Sequence, residues 1–451
     1  DAMELTYMNY LFSFFFSLFT IKEGPLLLTP ILNSGDITKA RTLSLVHDKE
    51  GVIPPSHAGF ITVDEKLRNH LFFWFFPTTS RRSEVPLLLW LNGGPGVSSM
   101  VGLFYENGPL RAVTADSYAA WNKSWTNSFS MLYIDNPVGC GFSYSENIPQ
   151  GYRTTDEDVA MDLYSFLEQF YAMFPEFMRR QLYIGGQSYA GKYISSLGHL
   201  LHSKLQSGAS KLPFTGAFIG GAFFDPYTQM LLAAEFYYTM GAMSLRQRNE
   251  FKETCIKKWP VLSACDASNI IRYLDYDSID NYMAPKKFPE FIEKVMNLEK
   301  VKKIVHVGSR RFQIKNTEVR NKLSHALLES SKSKLAVLLD NYKVLLFEGD
   351  FDGRVPTVSV EGALLTTPWS LQEAYNGSVK TVWYKGGKLF GSFNRTGNFC
   401  RVVLRNAGHH VPHDQPDISL TMMEYFVNHG YISTKKSPRV GVVFLNTQHY
   451  E

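Results

Sequence analysis

Short apolar runs recur along the chain, each bounded by glycine, proline or asparagine residues. Runs that are apolar at every position are typical of strands buried on both faces of a parallel sheet. Amphipathic stretches lie between several of them, as at 156–174, where apolar residues recur at helical spacing. The alternation predicts an α/β fold with a central, mostly parallel sheet. The six runs are 86–91, 131–134, 181–184, 217–219, 344–347 and 402–404.

Two regions depart from this alternation. Residues 59–63 alternate in polarity and precede the apolar run 71–76, which predicts an N-terminal antiparallel hairpin. From 223 to 335 strand-like runs are sparse and charged residues are dense, which indicates a helical cap inserted between two parts of the core. The predicted organisation is a signal peptide at 1–22, core at 23–222, cap at 223–335, core at 336–433 and a tail at 434–451.

The N-terminal segment 10–21 is almost wholly apolar. Its length fits the apolar region of a secretory signal better than the ~20 residues of a membrane span. Asp1 and Glu4 stand where a signal usually carries basic residues, so a single-pass anchor is the alternative. Three glycosylation sequons agree with the secretory pathway, and we expect a secreted or lysosome/vacuole protein. The sequons lie at Asn122, Asn376 and Asn394.

Composition removes several classes of function. The 451 residues carry 46 Lys and Arg against 42 Asp and Glu, and a net charge of +4 is too weak to indicate a nucleic-acid partner. Four cysteines exclude a small disulfide scaffold, and neither CxxC nor HExxH occurs. We therefore expect neither nucleic-acid nor metal binding.

The segment YIGGQSYAGKY at 183–193 places Ser188 directly after a predicted strand. Gly186 precedes the serine by two residues, and Ala190 and Gly191 follow it. Small neighbours permit a strained strand-to-helix turn that exposes a nucleophile at the head of a helix. The motif alone is weak, because glycine and serine are common in ordinary loops.

Two further strand ends carry the matching acid and base. The segment VLLFEGDFDGRVP offers Asp350 and Asp352, and we favour Asp352 as the acid, with Asp350 capping the loop. The segment VVLRNAGHHVP places His409 after a glycine turn, where a base is required. The nearby His410 and His413 do not complete a metal-ligand set. Serine, then aspartate, then histidine is the order of α/β-hydrolases.

Further segments carry a family resemblance. WLNGGPGVSSM at 90–100, GLFYENGP at 102–109 and YIDNPVGCGFSYS at 133–145 resemble the signatures of the serine carboxypeptidases, as do GQSYAGKY and AGHHVP. LFFWFFP, NYKVLLF and HDQP are similar to the vitellogenic-like branch. The resemblance extends from about residue 27 to 432. It implies an α/β-hydrolase fold and removal of C-terminal amino acids from peptides or proteins.

The resemblance also implies individual roles. Ser188 would be the nucleophile, His409 the general base and then acid, and Asp352 the group that stabilises the imidazolium. The backbone N–H groups of Gly94 and Tyr189 would form the oxyanion hole. No cofactor would be required, no membrane contact is expected beyond a cleaved signal, and a homodimer is possible. The substrate's C-terminal carboxylate would be bound by Asn92, Gly93, Glu106 and Gln187.

Departures from the family pattern qualify this reading. Gln187 stands where the family usually has glutamate, and Val97 where many members have cysteine. Since an amide donates at any working pH, we expect carboxylate binding to weaken less between about pH 5 and 7 than with a glutamate pair. Cys255 and Cys265 could close a short disulfide loop, although four cysteines allow three pairings. An acyltransferase, or a binding protein that has lost turnover, remains an alternative.

Overall fold

The computed structural model describes residues 24–78, 80, 84–260, 278–284, 291–430 and 432. The predicted signal peptide at 1–22, the predicted tail at 434–451 and Cys265 lie outside the described residues.

One large sheet dominates the described structure, and a two-stranded sheet (β4 and β5) stands apart from it. The strand order of the large sheet is β1-β2-β6-β3-β8-β9-β10-β13-β12-β11, and β7 pairs with β2. The strands are β1 His57–Asp64, β2 Asn69–Phe76, β3 Leu87–Leu91, β4 Leu110–Ala112, β5 Tyr118–Ala120, β6 Ser130–Ile134, β7 Tyr144–Ser145, β8 Leu182–Gln187, β9 Phe214–Gly220, β10 Lys343–Gly349, β11 Thr381–Lys385, β12 Lys388–Thr396 and β13 Phe399–Leu404.

The six central strands, from β6 across to β13, are parallel. Each overlaps one of the six apolar runs, so the predicted parallel sheet is confirmed. Parallel strands bring their carboxyl ends to the same edge. The loops that follow β3, β8, β9, β10 and β13 therefore meet there.

Strand β2 illustrates why these runs are apolar throughout. Leu71, Phe73 and Phe75 pack into the core on one face of the sheet. Phe72 and Trp74 pack into a separate core on the other face. Because successive side chains point to opposite faces and both faces are covered, residues 71–76 of the strand are all apolar. Strand β1 pairs antiparallel with β2, which confirms the predicted hairpin.

Helices cover both faces of the sheet. Helix α3 begins after Thr155, whose hydroxyl accepts a hydrogen bond from the Asp158 N–H group, and its first turn is acidic, as the helix dipole favours. The helices are α1 Thr29–Asn33, α2 Ile37–Ser44, α3 Asp156–Met173, α4 Ala190–Gln206, α5 Pro226–Thr239, α6 Leu245–Lys258, α7 Phe291–Met296, α8 Glu299–Ile304, α9 Thr317–Lys322, α10 Lys332–Asn341, α11 Thr357–Leu365, α12 Gln372–Asn376, α13 Val411–Asp414 and α14 Pro416–His429. A π-helix spans Gly102–Glu106, and 3-10 turns span Trp125–Asn127, Pro175–Arg179 and Ala326–Leu328.

The described part of the region between β9 and β10 is mainly helical, from α5 to α10, with non-helical segments that include 278–284 and 305–316. The division into core and cap stays a prediction. The hairpin of β11 and β12 was not predicted, because most side chains of β11 are exposed and its pattern contains no buried run.

Candidate active site

The turn from β8 into α4 carries Ser188, which has a φ of 63°. Residues other than glycine rarely adopt this left-handed backbone conformation, so the serine is held in a strained turn. The adjacent glycines allow that turn to pack. A Cβ on Gly186 would lie 2.0 Å from the carbonyl oxygen of Leu91, and one on Gly191 would lie 2.7 Å from that of Phe223. A larger residue would not fit at either position. The two glycines therefore permit the strand-to-helix turn that the sequence predicts.

Asp352 and His409 form a buried pair, with His409 Nδ1 2.7 Å from Asp352 Oδ2. Asp352 Oδ1 accepts hydrogen bonds from the backbone N–H groups of Arg354 and Val355, each over 2.8 Å. The side chains of His409 and Asp352 are 3% and 0% exposed. An aspartate fixed in this way holds the proton on Nδ1 and leaves Nε2 of the imidazole able to accept another.

Asp350, the other carboxylate of the β10 loop, has different partners. Its Oδ1 accepts a hydrogen bond from the Ala407 N–H group over 3.3 Å, and its Oδ2 lies 3.1 Å from Nε of Arg405. It thus holds the loop after β10 against the loop after β13.

Gly221, at the end of β9, lies against the Asp352–His409 pair and was not singled out from the sequence. A Cβ at this position would lie 2.9 Å from Asp352 Oδ2 and 2.9 Å from His409 Nδ1, and the φ of Gly221 is +48°. The available signal was a glycine pair, Gly220 and Gly221, directly after an apolar run. A glycine at the carboxyl end of a central parallel strand indicates close approach of another group.

The predicted oxyanion-hole residues come from two segments in direct contact. A Cβ on Gly93 would lie 2.5 Å from the backbone nitrogen of Tyr189 and 2.8 Å from the carbonyl oxygen of Gln187. Gly94 follows with a φ of 112°, a conformation that suits glycine. Nη1 of Arg320 donates to the Gly94 carbonyl oxygen over 3.0 Å.

The predicted carboxylate-binding side chains also meet, at Asn92. Its Nδ2 lies 2.8 Å from Glu106 Oε1 and 3.4 Å from Gln187 Oε1. Its Oδ1 accepts hydrogen bonds from Trp90 Nε1 and the Gly102 N–H group, each over 2.9 Å. These bonds fix the orientation of the amide, so its two hydrogens face the two neighbouring side chains.

Gln187 connects this cluster to the loop after β13, because its Nε2 donates a hydrogen bond to the backbone carbonyl oxygen of His409. The carboxyl end of β8 is thereby joined to the loop after β13.

These residues surround a pocket of about 230 Å³. Ser188, His409, Asn92, Gly93, Gly94 and Gln187 line it, whereas Asp352 and Glu106 contact the lining residues from behind. The other lining residues are Pro95, Gly96, Val97, Val101, Asp280, Lys315, Asn316, Thr317, Arg320, Arg354 and His410.

One wall of the pocket is residues 313–320, which we call the strap. Lys315 forms an antiparallel bridge with Val97, and Gln313 forms one with Gly141. The strap thus pairs at once with the loop after β3 and the loop after β6. Sequence analysis missed this contact, because Lys and Gln in a charge-dense region resemble any solvated surface.

The buried carboxylate of Asp135 bonds to both of these loops, the one after β3 and the one after β6. Asp135 accepts hydrogen bonds from Ser98 Oγ over 2.5 Å and from the N–H groups of Ser99 and Phe142 over 3.2 and 2.9 Å. Burial raises the pKa of Asp135 to about 7, and these hydrogen bonds oppose the rise.

The three neighbouring histidines have separate partners. His409 pairs with Asp352, and the ring of His413 stacks on Tyr105 with centroids 3.8 Å apart. His410 lies 3.5 Å from Glu106. Over the part of the chain that the structure describes, no group of three or more His, Cys, Asp or Glu residues could hold a metal ion.

The predicted modification sites differ in accessibility. Asn122 and Asn376 are exposed, whereas Asn394 is buried with its Nδ2 donating to Ser378 Oγ over 2.9 Å. Cys255 is disulfide-bonded, and Cys140 and Cys400 are free and buried. The pairing of Cys255 with Cys265 stays a prediction. Among the described helices, none combines the length and apolar composition needed to cross a membrane.

The structure is similar to the crystal structure of Kex1(delta)p, a prohormone-processing carboxypeptidase from Saccharomyces cerevisiae, with a TM-score of 0.73 and 24% sequence identity over 85% of this chain and 93% of that one. At that identity the likeness shows the fold, which is that of the α/β-hydrolases. The predicted fold class is therefore confirmed.

The chain belongs to the serine carboxypeptidase family, whose profile matches residues 49–284 and 270–429. It is 35% identical over 428 residues to a probable serine carboxypeptidase CPVL of Rattus norvegicus, covering 89% of each chain. It is 32% identical over 426 residues to the venom serine carboxypeptidase of Apis mellifera, covering 90% of this chain and 91% of that one. The predicted enzyme class, a serine-type carboxypeptidase, is confirmed.

Proposed function

We propose that the protein removes C-terminal amino acids from peptides through an acyl-enzyme on Ser188, with Asp352 and His409 completing the triad. The observation that carries the proposal is the buried Asp352–His409 pair, joined over 2.7 Å, beside a pocket that Ser188 lines. Family membership makes a peptide substrate the natural choice.

In the proposed reaction, His409 Nε2 takes the proton from Ser188 Oγ as the oxygen attacks the carbonyl carbon of the last peptide bond. The N–H groups of Gly94 and Tyr189 stabilise the oxyanion that forms. When the C–N bond breaks, the imidazolium gives its proton to the departing amine. Water then attacks the acyl-enzyme with His409 again as base, and Ser188 is regenerated.

Asp352 stabilises the imidazolium throughout these steps. Its Oδ1 is held by two backbone donors, so Oδ2 stays directed at His409 Nδ1. The pair is buried, which strengthens its electrostatic interaction relative to water.

Recognition of a free C-terminus is assigned to Asn92, Gly93, Glu106 and Gln187. A mid-chain amide could not satisfy this cluster, because it lacks the terminal carboxylate oxygens. The support is the contact of the Asn92 amide with both Glu106 and Gln187.

Two assays test the proposal. A fluorophosphonate should label the wild type and the Ser203→Ala control, whose serine is exposed on the same helix α4, but not Ser188→Ala. A blocked dipeptide with a free carboxylate should be hydrolysed with a kcat/KM far above that of its C-terminal amide. Absence of labelling would identify a binding or protective protein. Labelling without preference for the free carboxylate would identify a different hydrolase or an acyltransferase.

We further infer that the protein acts in the secretory pathway, either secreted or in a lysosome or vacuole. The exposed sequons Asn122 and Asn376 support this inference, and glycan is expected there and not at the buried Asn394. Enzymatic deglycosylation followed by peptide mapping tests it.

A further inference from the structure

A chain of titratable and charged side chains lies beside the proposed triad, with Glu106 behind the pocket lining and His410, Asp280 and Arg354 in it. Glu106 Oε2 lies 3.5 Å from His410 Nδ1, and Asp280 Oδ2 lies 3.9 Å from His410 Nε2. Arg354 completes the chain, with its Nε 2.5 Å from Asp280 Oδ1. The imidazole of His410 therefore stands between two carboxylates.

His410 lines the pocket, yet its side chain is only 12% exposed and that of Glu106 is 0% exposed. At this burial the charge state of one group acts strongly on the other, because solvent screens their interaction weakly.

Titratable and charged groups face His410 from every segment packed against it. Burial lowers the pKa of His410, but the carboxylates of Glu106 and Asp280 outweigh burial and raise it above its ordinary value. Burial would raise the pKa of Asp280, but Arg354, His410 and His409 hold it well below its usual range. The facing groups are Tyr105 and Glu106 of the π-helix, Asp280 of the segment 278–284, Arg354 of the loop after β10, and the adjacent His409.

Gln187 is the other polar side chain beside Glu106, and both ends of its amide are engaged. Its Nε2 donates to the carbonyl oxygen of His409, and its Oε1 lies 3.4 Å from Asn92 Nδ2. The amide carries no charge at any pH. Gln187 therefore contributes no change of charge to the recess that Asn92, Glu106, Gln187 and His410 form.

We propose that His410, when protonated, is the residue that lets the recess beside Glu106 accept the substrate's C-terminal carboxylate. This inference rests on the proposed carboxypeptidase function. It assigns to a histidine the pH-dependent part of substrate recognition, which sequence analysis had sought in Glu106 and Gln187.

The net charge of the Glu106–His410 pair decides whether a second carboxylate can approach. With His410 protonated and Glu106 ionised, the pair is neutral, and a carboxylate can approach the Asn92 amide. With His410 neutral and Glu106 ionised, the pair carries one negative charge and repels a second carboxylate. An opposite charge within about 4–6 Å shifts the pKa of an ionisable group by roughly one to three units. Loss of the positive charge on His410 should therefore weaken binding of the substrate carboxylate about tenfold or more.

The test measures kcat and KM between pH 5 and 8 for a blocked dipeptide with a free carboxylate and for its C-terminal amide. In the wild type, KM for the free-carboxylate substrate should rise about tenfold with pH. In His410→Gln, that KM should be about tenfold higher at pH 5.5 and nearly flat with pH, and the preference for free carboxylate over amide should fall by the same factor.

Two further variants separate recognition from structure. His410→Lys, cationic across the whole range, should keep KM low up to pH 8. In the double variant Glu106→Gln/His410→Gln the negative charge is absent and the amide at position 106 still offers a hydrogen-bond donor, so KM should fall below that of His410→Gln at every pH. The control is His325→Gln, which removes an exposed histidine that also pairs with a glutamate, Glu329, over 3.2 Å.

An unchanged pH slope of KM in His410→Gln would overturn the inference. So would a loss of kcat that is equal for both substrates with no change in preference, since that result indicates a structural role. If the wild type shows no preference for a free carboxylate, the proposed function itself is wrong, and the two failures are thereby distinguished.

Discussion

Arg320, on the helix that ends the strap, donates a hydrogen bond to the carbonyl oxygen of Gly94 over 3.0 Å. The N–H group of Gly94 is one of the two proposed oxyanion donors. Because the bond fixes the Gly94 carbonyl group, it restrains the loop that presents this donor.

The first prediction follows from that bond. Arg320→Gln should lower kcat about tenfold with a smaller change in KM, since a slightly misplaced donor weakens transition-state binding more than substrate binding. Steady-state kinetics on a blocked dipeptide will measure both constants. Arg311→Gln, an exposed arginine near the start of the strap, is the control and should behave as wild type. Equal kcat values in the two variants would show that Arg320 does not position the Gly94 N–H group.

The second prediction concerns the acid. Asp352→Asn should lower kcat by about four orders of magnitude, because an amide facing His409 Nδ1 favours the wrong tautomer. Its Oδ1 can still accept the two backbone hydrogen bonds, so the melting temperature should change little. Asp350→Asn should cost no more than about tenfold, since Asp350 contacts Ala407 and Arg405. A larger loss in Asp350→Asn would mean that the acid has been misassigned.

The third prediction uses two glycines with positive φ. Gly221→Ala places a methyl group 2.9 Å from both Asp352 and His409, so kcat should fall at least about tenfold. Gly208 has a φ of +72° and nothing within 4 Å of the added Cβ. Gly208→Ala should therefore cost about 1 kcal/mol of backbone strain and no activity. Kinetics together with chemical denaturation separate the two effects, and equal losses of activity would refute the packing argument.

The fourth prediction concerns Asp135, whose pKa is raised by burial from 3.8 to about 7. Between these values the unfolded chain has lost a proton that the folded protein retains. Stability should therefore fall as pH rises from about 4 to 7, by up to about 1.4 kcal/mol per pH unit. Asp135→Asn should lower overall stability and flatten this slope. Asp417→Asn, at an exposed carboxylate, should leave the slope unchanged. Calorimetric melting temperatures from pH 4 to 7.5 provide the measurement.

The fifth prediction concerns Gln187→Glu. Its new carboxyl group would face the carbonyl oxygen of His409, where the amide of Gln187 now donates. Only the protonated acid can replace that hydrogen bond, so KM for a free-carboxylate dipeptide should rise more steeply between about pH 5 and 7 than in the wild type. Parallel KM profiles would show that position 187 has no part in the pH dependence.

The sequence predicted the parallel core because burial on both faces leaves a continuous apolar run, as in β3. The role of Ser188 was predicted in the same way, because the serine follows such a run. Asp350 and Asp352 follow one and the same run, so the preference for Asp352 rests on its G-x-x-D-x-x-V-P frame, and both assignments stay predictions. The sequence did not predict the place of His410 or of Gly221. Their roles come from contacts across the sheet edge between residues far apart in sequence, and local periodicity carries no record of those contacts.

The strap also has a consequence for the exchange of segments between relatives. The Asn316 N–H group donates to the Gly96 carbonyl oxygen over 2.9 Å, and the Ser98 N–H group donates to that of Ile314 over 3.0 Å. Residues 313–320 therefore fold together with the glycine loop and should share its protection from hydrogen exchange. A chimera in which the predicted cap, residues 223–335, is replaced by that of a relative should retain residues 313–320 of this protein. Its junctions should lie outside these eight residues. Otherwise specificity cannot be transplanted without also loosening the loop that carries Gly94, a proposed oxyanion donor.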